Sequence, residues 1–539
     1  MARKIVTRKV KEAPFSAGLS AKERVFFVVY VKMTGACVIG VEGRLIEVEV
    51  NICSGLPQVN VVGLADTAVR ESVERVRSAV QNGGLQFPME RITVNLAPAD
   101  MRKEGSSFDL AIAAGILCAS GQLQPDRLDN ALLIGELALN GEVRPVPGVL
   151  PMTEQARNMG MRKAYVPEES ADEARLIEGI EVESIRSIRD WLDDRPSASA
   201  PERRSGGIRP QSRVLPRDGE EPDLADIVGH TQAKRALIIA AAGMHNILFI
   251  GPPGTGKTML CRRLPGLLPP LSDEEALTVT KIFSVCGKLG DSRSGLIRRR
   301  PFRSPHHTIS SAGLIGGGSV PKPGEVTLAH HGVLFLDEMP EFSRICLEAL
   351  RQPLEDREVT IGRARGVCRF PARFMLAASM NPCPCGYYGS EPADKPCTCS
   401  ESSVLRYRSR MSGPLADRID LQVELPRPSV RSSAPASSMT TEEARGIVQE
   451  ASERQRRRYA RYGFARNSDL QGALLRRHAA LTPTGEQLLA DVYDRLGLSL
   501  RAHDRILKIS RTIADLAGRE TIEPEDVAEA IQYRCLDKT

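Results

Sequence analysis

The chain has 539 residues, 42% hydrophobic and 26% charged, with a formal net charge of +6. That balance excludes a chain too polar to build a core, and its length suits about three domains. No apolar run approaches the roughly 20 residues needed to span a bilayer, so a cytoplasmic location with no membrane partner is expected. Twelve cysteines in such a chain do not suggest a disulfide framework.

In chain order, residues 1–32 are basic and then β-branched, and read as an N-terminal extension. Met33 opens a first α/β domain, 33–193. Within it, residues 45–52 alternate like a strand, 60–64 and 92–96 read as further strands, and 67–82 has helical spacing before Gly83-Gly84. Residues 108–120 read as a buried helix of small residues. Residues 194–222, rich in Pro, Ser, Gly and Arg, read as a flexible linker. A nucleotide-binding core is expected over 223–426 and a second Pro/Ser-rich linker over 427–439. A helical domain is expected over 440–539, with helix starts at Thr440-Thr441-Glu442-Glu443 and near Thr521-Ile522-Glu523-Pro524.

The core carries the chemistry. Gly251-Pro252-Pro253-Gly254-Thr255-Gly256-Lys257-Thr258 fits the phosphate-loop pattern G-x-x-x-x-G-K-[ST]. A short apolar strand, 246–250, precedes it, and a helix start at Met259 follows. Glycines let successive N–H groups wrap around anionic oxygens, and the helix N-terminus adds its dipole. Lys257 would reach the β- and γ-phosphates of ATP, and the Thr258 hydroxyl would ligate Mg²⁺. A second apolar strand, 332–336, ends in Asp337, for the Mg²⁺, and Glu338, as general base for the attacking water. A third strand is tipped by Asn381, whose amide could orient that water. Arg418 is a candidate arginine finger, supplied to a neighbouring subunit; the alternative is an ion pair with Asp417 or Asp420. Arg501 is a second candidate to sense the phosphates.

Cys383-Pro384-Cys385 and Cys397-Thr398-Cys399 form C-x-C…C-x-C with eleven residues between the pairs. Two thiolate pairs on turn-rich backbone can close a tetrahedral structural Zn²⁺ site; the alternative is a loop of free thiols. The other cysteines are scattered and read as core residues. Arginines cluster at 298–300 and at Arg454, Arg456, Arg457, Arg458, Arg461 and Arg466. Such clusters suit nucleic acid but also an ordinary solvated helix face.

Taken together, these stretches resemble AAA+ ATPases of the branch that includes magnesium-chelatase subunits. Within it they resemble most the magnesium-chelatase-like competence protein ComM (YifB) family. The likeness is carried by Arg303-Ser304-Pro305-His306-His307-Thr308, Gly316-Gly317-Gly318, Pro321-Lys322-Pro323-Gly324-Glu325-Val326 and Leu350-Arg351-Gln352-Pro353-Leu354-Glu355. It implies a homo-hexameric ring, stimulated by nucleotide or DNA, acting as a helicase on single-stranded and branched DNA. It further implies branch migration during integration of transforming DNA, beside recombination proteins. It also implies pore-facing hairpins near 310–324 and 359–373, the second carrying Arg363, Arg365 and Arg369 for phosphate contacts; β spacing would put Arg363 and Arg365 on one face. The first domain resembles the Lon-protease-like domain, related to ribosomal S5 domain 2, with Ser107 at the serine position. Leu150 stands where Lon has its lysine, so no peptidase activity is expected. The alternative function is a chelatase-type motor that remodels a protein partner.

Overall fold

The computed structural model describes residues 29–191, 222–289, 295–363, 366–389, 396–427 and 439–534. The described residues form two compact units. One is drawn from Met1–Leu215 and Thr280–Ile297, the other from Pro216–Val279 and Arg298–Thr539. All but the last residue of the expected linker 194–222 and most of the linker 427–439 lie outside the described residues.

The first unit is built on a seven-stranded sheet. Its strands are β1 (Val29–Ile39), β2 (Glu42–Cys53), β3 (Gln58–Val62), β4 (Arg91–Ala97), β5 (Ala131–Leu133), β8 (Lys163–Pro167) and β9 (Glu181–Ile185); β6 (Glu136–Leu137) and β7 (Val143–Arg144) form a separate small hairpin. The order is β3-β4-β2-β1-β5-β8-β9. β2 is antiparallel to β1 and β4, and the remaining neighbours are parallel. β1 begins before Met33, and the side chains of Val31 and Met33 are buried. Met33 therefore lies inside the strand instead of opening the domain, because the β-branched run upstream continues the same alternation. The helix Asp109–Ala119 is buried along its whole length. Its small side chains let it press against the sheet, and its one charged group, Asp109, is paired with Arg75 at 2.8 Å. Residues 280–289 and 295–297, expected in the nucleotide-binding core, group with this unit: Lys281 pairs with Glu154 at 2.7 Å.

The second unit centres on a parallel five-stranded sheet. Its members are β10 (Ile247–Ile250), β11 (Phe302–Arg303), β14 (Val333–Leu336), β17 (Met375–Met380) and β18 (Leu421–Glu424), in the order β11-β14-β17-β10-β18. Every residue of β10, β14 and β17 is buried, as expected for strands covered on both faces. The helices Thr231–Gly243, Lys257–Leu267, Thr441–Tyr459 and Leu500–Leu516 contribute to the same core. β10 comes first in the chain among these strands yet lies inside the sheet, with β11, β14 and β17 to one side and β18, reached from β17, on the other; its C-terminal end opens on the crevice where such sheets hold ligands.

Two hairpins project from this framework. One pairs β12 (Gly316–Gly317) with β13 (Lys322–Pro323), the other β15 (Glu358–Arg363) with β16 (Gly366–Pro371). They meet: Arg363 Nε donates to Gly318 O at 3.2 Å. The helical region is as expected, with Thr440 capping its helix through a reciprocal box with Glu443. The last helix, Pro524–Gln532, starts within the expected segment, where Asp526 Oδ2 accepts the Glu523 N–H at 2.9 Å. No helix among the described residues is long and apolar enough to cross a membrane.

Candidate active site

The phosphate loop joins β10 to a helix that starts at Lys257 itself, two residues before the expected Met259. Gly254 (φ +79°) and Gly256 (φ +82°) take the left-handed conformation that turns the chain's N–H groups inward. Thr255 Oγ1 donates to Pro252 O at 2.9 Å and fixes the loop's curvature. Lys257 Nζ donates to the Gly251 and Pro252 carbonyls at 2.6 and 2.9 Å, and to Asn381 Oδ1 at 3.1 Å. Burial pulls the Lys257 pKa down, and the charges of Asp337 and Glu338 oppose that pull.

The register of the sheet brings the other groups to the same edge. β10, β17 and β14 are neighbours, with Ile250 opposite Met380 and Leu336 opposite Ala378. Thr258 Oγ1 donates to Asp337 Oδ2 at 3.0 Å. These two hard oxygens lie side by side, an arrangement that suits Mg²⁺, which takes one or two protein ligands beside waters and phosphate. Glu338 adopts φ +51°, a left-handed conformation uncommon outside glycine. Such outliers persist where the surroundings enforce them, and here Ser379 does so. Its hydroxyl accepts the Glu338 N–H at 3.1 Å and donates to Asp337 Oδ1 at 2.5 Å. Sequence reasoning missed Ser379; the available signal was a lone hydroxyl inside an apolar strand, two residues before Asn381.

Arg418 is held by Glu355 and by the Pro414 carbonyl. The ion pair considered from sequence, with Asp417 or Asp420, is corrected: a carboxylate 63 residues away takes that place. Asp420 is engaged elsewhere. Burial disfavours its charge, but Arg505 and His245 hold its carboxyl well below the usual range. Its Oδ2 also accepts the Asn246 N–H at 3.0 Å. Asn246 in turn reaches Arg418 O and the Leu376 N–H, tying the Arg418 segment to β10 and β17. Arg501 is exposed, and its contact is Asp417 at 3.8 Å.

The four cysteines converge. Cys383, Cys385, Cys397 and Cys399 place their sulfurs within 4.8 Å of one another. Cys383 is fully buried and accepts N–H bonds from Gly386 at 3.2 Å and Tyr388 at 3.4 Å. In a tetrahedral site with Zn–S near 2.3 Å the sulfurs sit about 3.8 Å apart, so the donor set fits zinc.

Of the candidate DNA contacts, Arg363 and Arg369 are exposed on the second hairpin, and Arg365 lies outside the described residues. The base of that hairpin is clamped, since Arg357 (3.2 Å) and Arg373 both pair with Asp469. The basic clusters divide: Arg456, Arg457 and Arg461 are exposed, whereas Arg454 and Arg458 bind Asp515 and Arg300 is buried against the Pro269 and His331 carbonyls. In the first unit, Ser107 is buried and its hydroxyl donates to Ala36 O at 2.9 Å. Leu150 is fully buried.

Three family models match in succession: Subunit ChlI of Mg-chelatase over residues 48–170, Magnesium chelatase subunit ChlI over 223–433, and its C-terminal part over 438–534. An uncharacterized Mycobacterium tuberculosis protein is 44% identical over 502 residues, covering 92% of this chain and 96% of the relative. YifB of Escherichia coli, also uncharacterized, is 42% identical over 507 residues, covering 93% and 96%. Competence protein ComM of Haemophilus influenzae is 42% identical over 507 residues, covering 92% and 96%. A shorter likeness, 27% over 169 residues, links 28% of this chain to 30% of Lon protease 2 of Bacillus subtilis.

Proposed function

The chain belongs to the magnesium-chelatase-like AAA+ family of ComM and YifB, and from that premise we propose that it is an ATP-driven DNA motor working as a hexameric ring. ATP and Mg²⁺ are the cofactors the family implies. The observation that carries the ATPase reading is the convergence of Lys257, Thr258, Asp337 and Asn381 at one sheet edge, with Glu338 fixed beside them. In this reading Lys257 and the loop N–H groups bind the β- and γ-phosphates. Thr258 and Asp337 hold Mg²⁺, Glu338 takes a proton from the attacking water, and Asn381 orients that water. Arg418 serves a neighbouring subunit's nucleotide, exchanging Glu355 for phosphate oxygens, with Arg501 beside it. Asn246 connects the two, because its amide bonds both the Arg418 backbone and the strand that ends at Asn381.

Work on DNA is supported by the exposed Arg363 and Arg369 on a hairpin and by the exposed arginines of the helix Thr441–Tyr459. Such charges release counterions when they meet phosphates. The substrate in this reading is single-stranded and branched DNA, and the task is branch migration during uptake and recombination of transforming DNA. The cysteine cluster is a structural zinc site. The Lon-like unit has no peptidase role, because a serine whose hydroxyl bonds a carbonyl, with leucine at the lysine position, lacks a base.

The test is steady-state ATP hydrolysis with and without forked DNA, across a salt series. The reading expects stimulation by DNA that fades as salt rises. Hydrolysis indifferent to DNA would favour the other family role, a motor remodelling a protein partner.

A further inference from the structure

The cysteine cluster and the phosphate loop are in direct contact. Gly386, the turn residue of the Cys383–Cys385 knuckle, has φ +89°, and a β-carbon there would come within 2.7 Å of the Pro253 ring and 4.0 Å of Asn381 Cγ. The knuckle therefore lies on the loop with no room for a side chain between them. Asn381, which receives the Lys257 ammonium, is two residues before Cys383. The far side of the knuckle is also held: the Arg408 guanidinium lies over the Tyr388 ring at 5.6 Å and donates to Pro382 O at 3.3 Å.

We propose that the four-cysteine site is a metal-dependent wall of the nucleotide pocket, so that zinc occupancy and ATP binding reinforce each other. Without zinc, the knuckle is closed by Gly386 N–H on Cys383 O (3.0 Å) and Sγ (3.2 Å) and by Tyr388 N–H on the same sulfur (3.4 Å), bonds that shape the turn but do not reach Pro253. Zinc joined to four sulfurs fixes the knuckle, and through it both Pro253 and the backbone that aims Asn381 at Lys257. Coupling of this kind is reciprocal: whatever zinc adds to ATP affinity, ATP adds to zinc affinity. The inference rests on the zinc and nucleotide readings above, and it adds a dependence that neither contains.

Two measurements on the full-length wild-type chain test it. The first is the Kd of a fluorescent ATP analogue for zinc-loaded, chelator-stripped and zinc-restored protein, with zinc content measured and folding checked by circular dichroism. Stripping should weaken binding by about tenfold, within the usual range of site-to-site coupling, and zinc should restore it. The second is the rate of zinc release to a chromophoric chelator with and without a non-hydrolysable ATP analogue. Release should slow with the analogue in wild type and not in Lys257→Ala. This arm requires no folded metal-free protein, so it decides the matter if stripping unfolds the chain. Stoichiometric zinc with release indifferent to the analogue would overturn the coupling and leave the zinc reading standing. A folded, active preparation without zinc would overturn both.

Discussion

Lys257 donates to two loop carbonyls and to Asn381, so its removal takes away the charge meant for phosphate while leaving the strands intact. Lys257→Ala should weaken ATP binding by roughly tenfold to a hundredfold, the worth of a charge-assisted hydrogen bond or two. Glu338→Gln should bind ATP normally, with turnover lower by about 10²–10⁴. Retained turnover in that variant would remove Glu338 from the base role. Ser379 is fully buried and bonds both Asp337 and the Glu338 backbone. Ser379→Ala should raise the Mg²⁺ concentration needed for half-maximal turnover and lower the rate about tenfold, with ATP affinity little changed; an unaltered Mg²⁺ requirement would deny it this role. The phosphate loop and the strand-end Asp337, Glu338 and Asn381 were legible because each motif is local in sequence. Ser379 was not, because its role exists only once β14 and β17 are adjacent. The partner of Arg418 was misread for the same reason: nearby Asp417 and Asp420 were considered, whereas the carboxylate that meets it belongs to a distant helix.

At the scale of elements, the second hairpin is fixed at its root. Asp469 accepts from both Arg357 and Arg373, which flank β15 and β16. Asp469→Ala leaves two guanidinium groups without that acceptor and should cost about 2–3 kcal/mol, read as a lower urea midpoint; an unchanged midpoint would contradict the clamp. The strand end before that root holds a buried histidine pair. His330 accepts the Arg373 N–H at 3.0 Å, and burial keeps its pKa well below the ordinary value. Burial likewise lowers His331 to about 4, with Glu275 opposing and Arg300 and Arg373 assisting. Both histidines bind protons more readily when unfolded, so their contribution is present above about pH 6.5 and is lost as pH falls toward 4. Acidification through that window should lower the urea midpoint of the unit, and His330→Asn, which keeps an acceptor for Arg373, should reduce the slope by about 1.4 kcal/mol per pH unit. Equal slopes in wild type and variant would contradict this. Alternation or short apolar runs revealed β2, β3 and β4 of the first sheet and β10, β14 and β17 of the second, but no sequence period announces a clamp made by residues 112 and 96 positions apart.

For the whole molecule, composition shifts and motifs suggest an order of domains, but they carry no sign of the grouping of the described residues into two units. The helix Asp273–Val285 reads as one element, yet its residues from Thr280 onward group with the first unit, a division set by packing and invisible to periodicity. The account of a ring motor rests on linking ATP turnover to movement of DNA. Its most direct test is a labelled three-strand junction incubated with the full-length protein, Mg²⁺ and ATP, followed by gel separation of the displaced strand. The account predicts strand exchange that requires ATP, is lost in Glu338→Gln, and weakens when Arg363 and Arg369 are both changed to Ala. A wild-type preparation that hydrolyses ATP at full rate with this DNA and displaces no strand would contradict it.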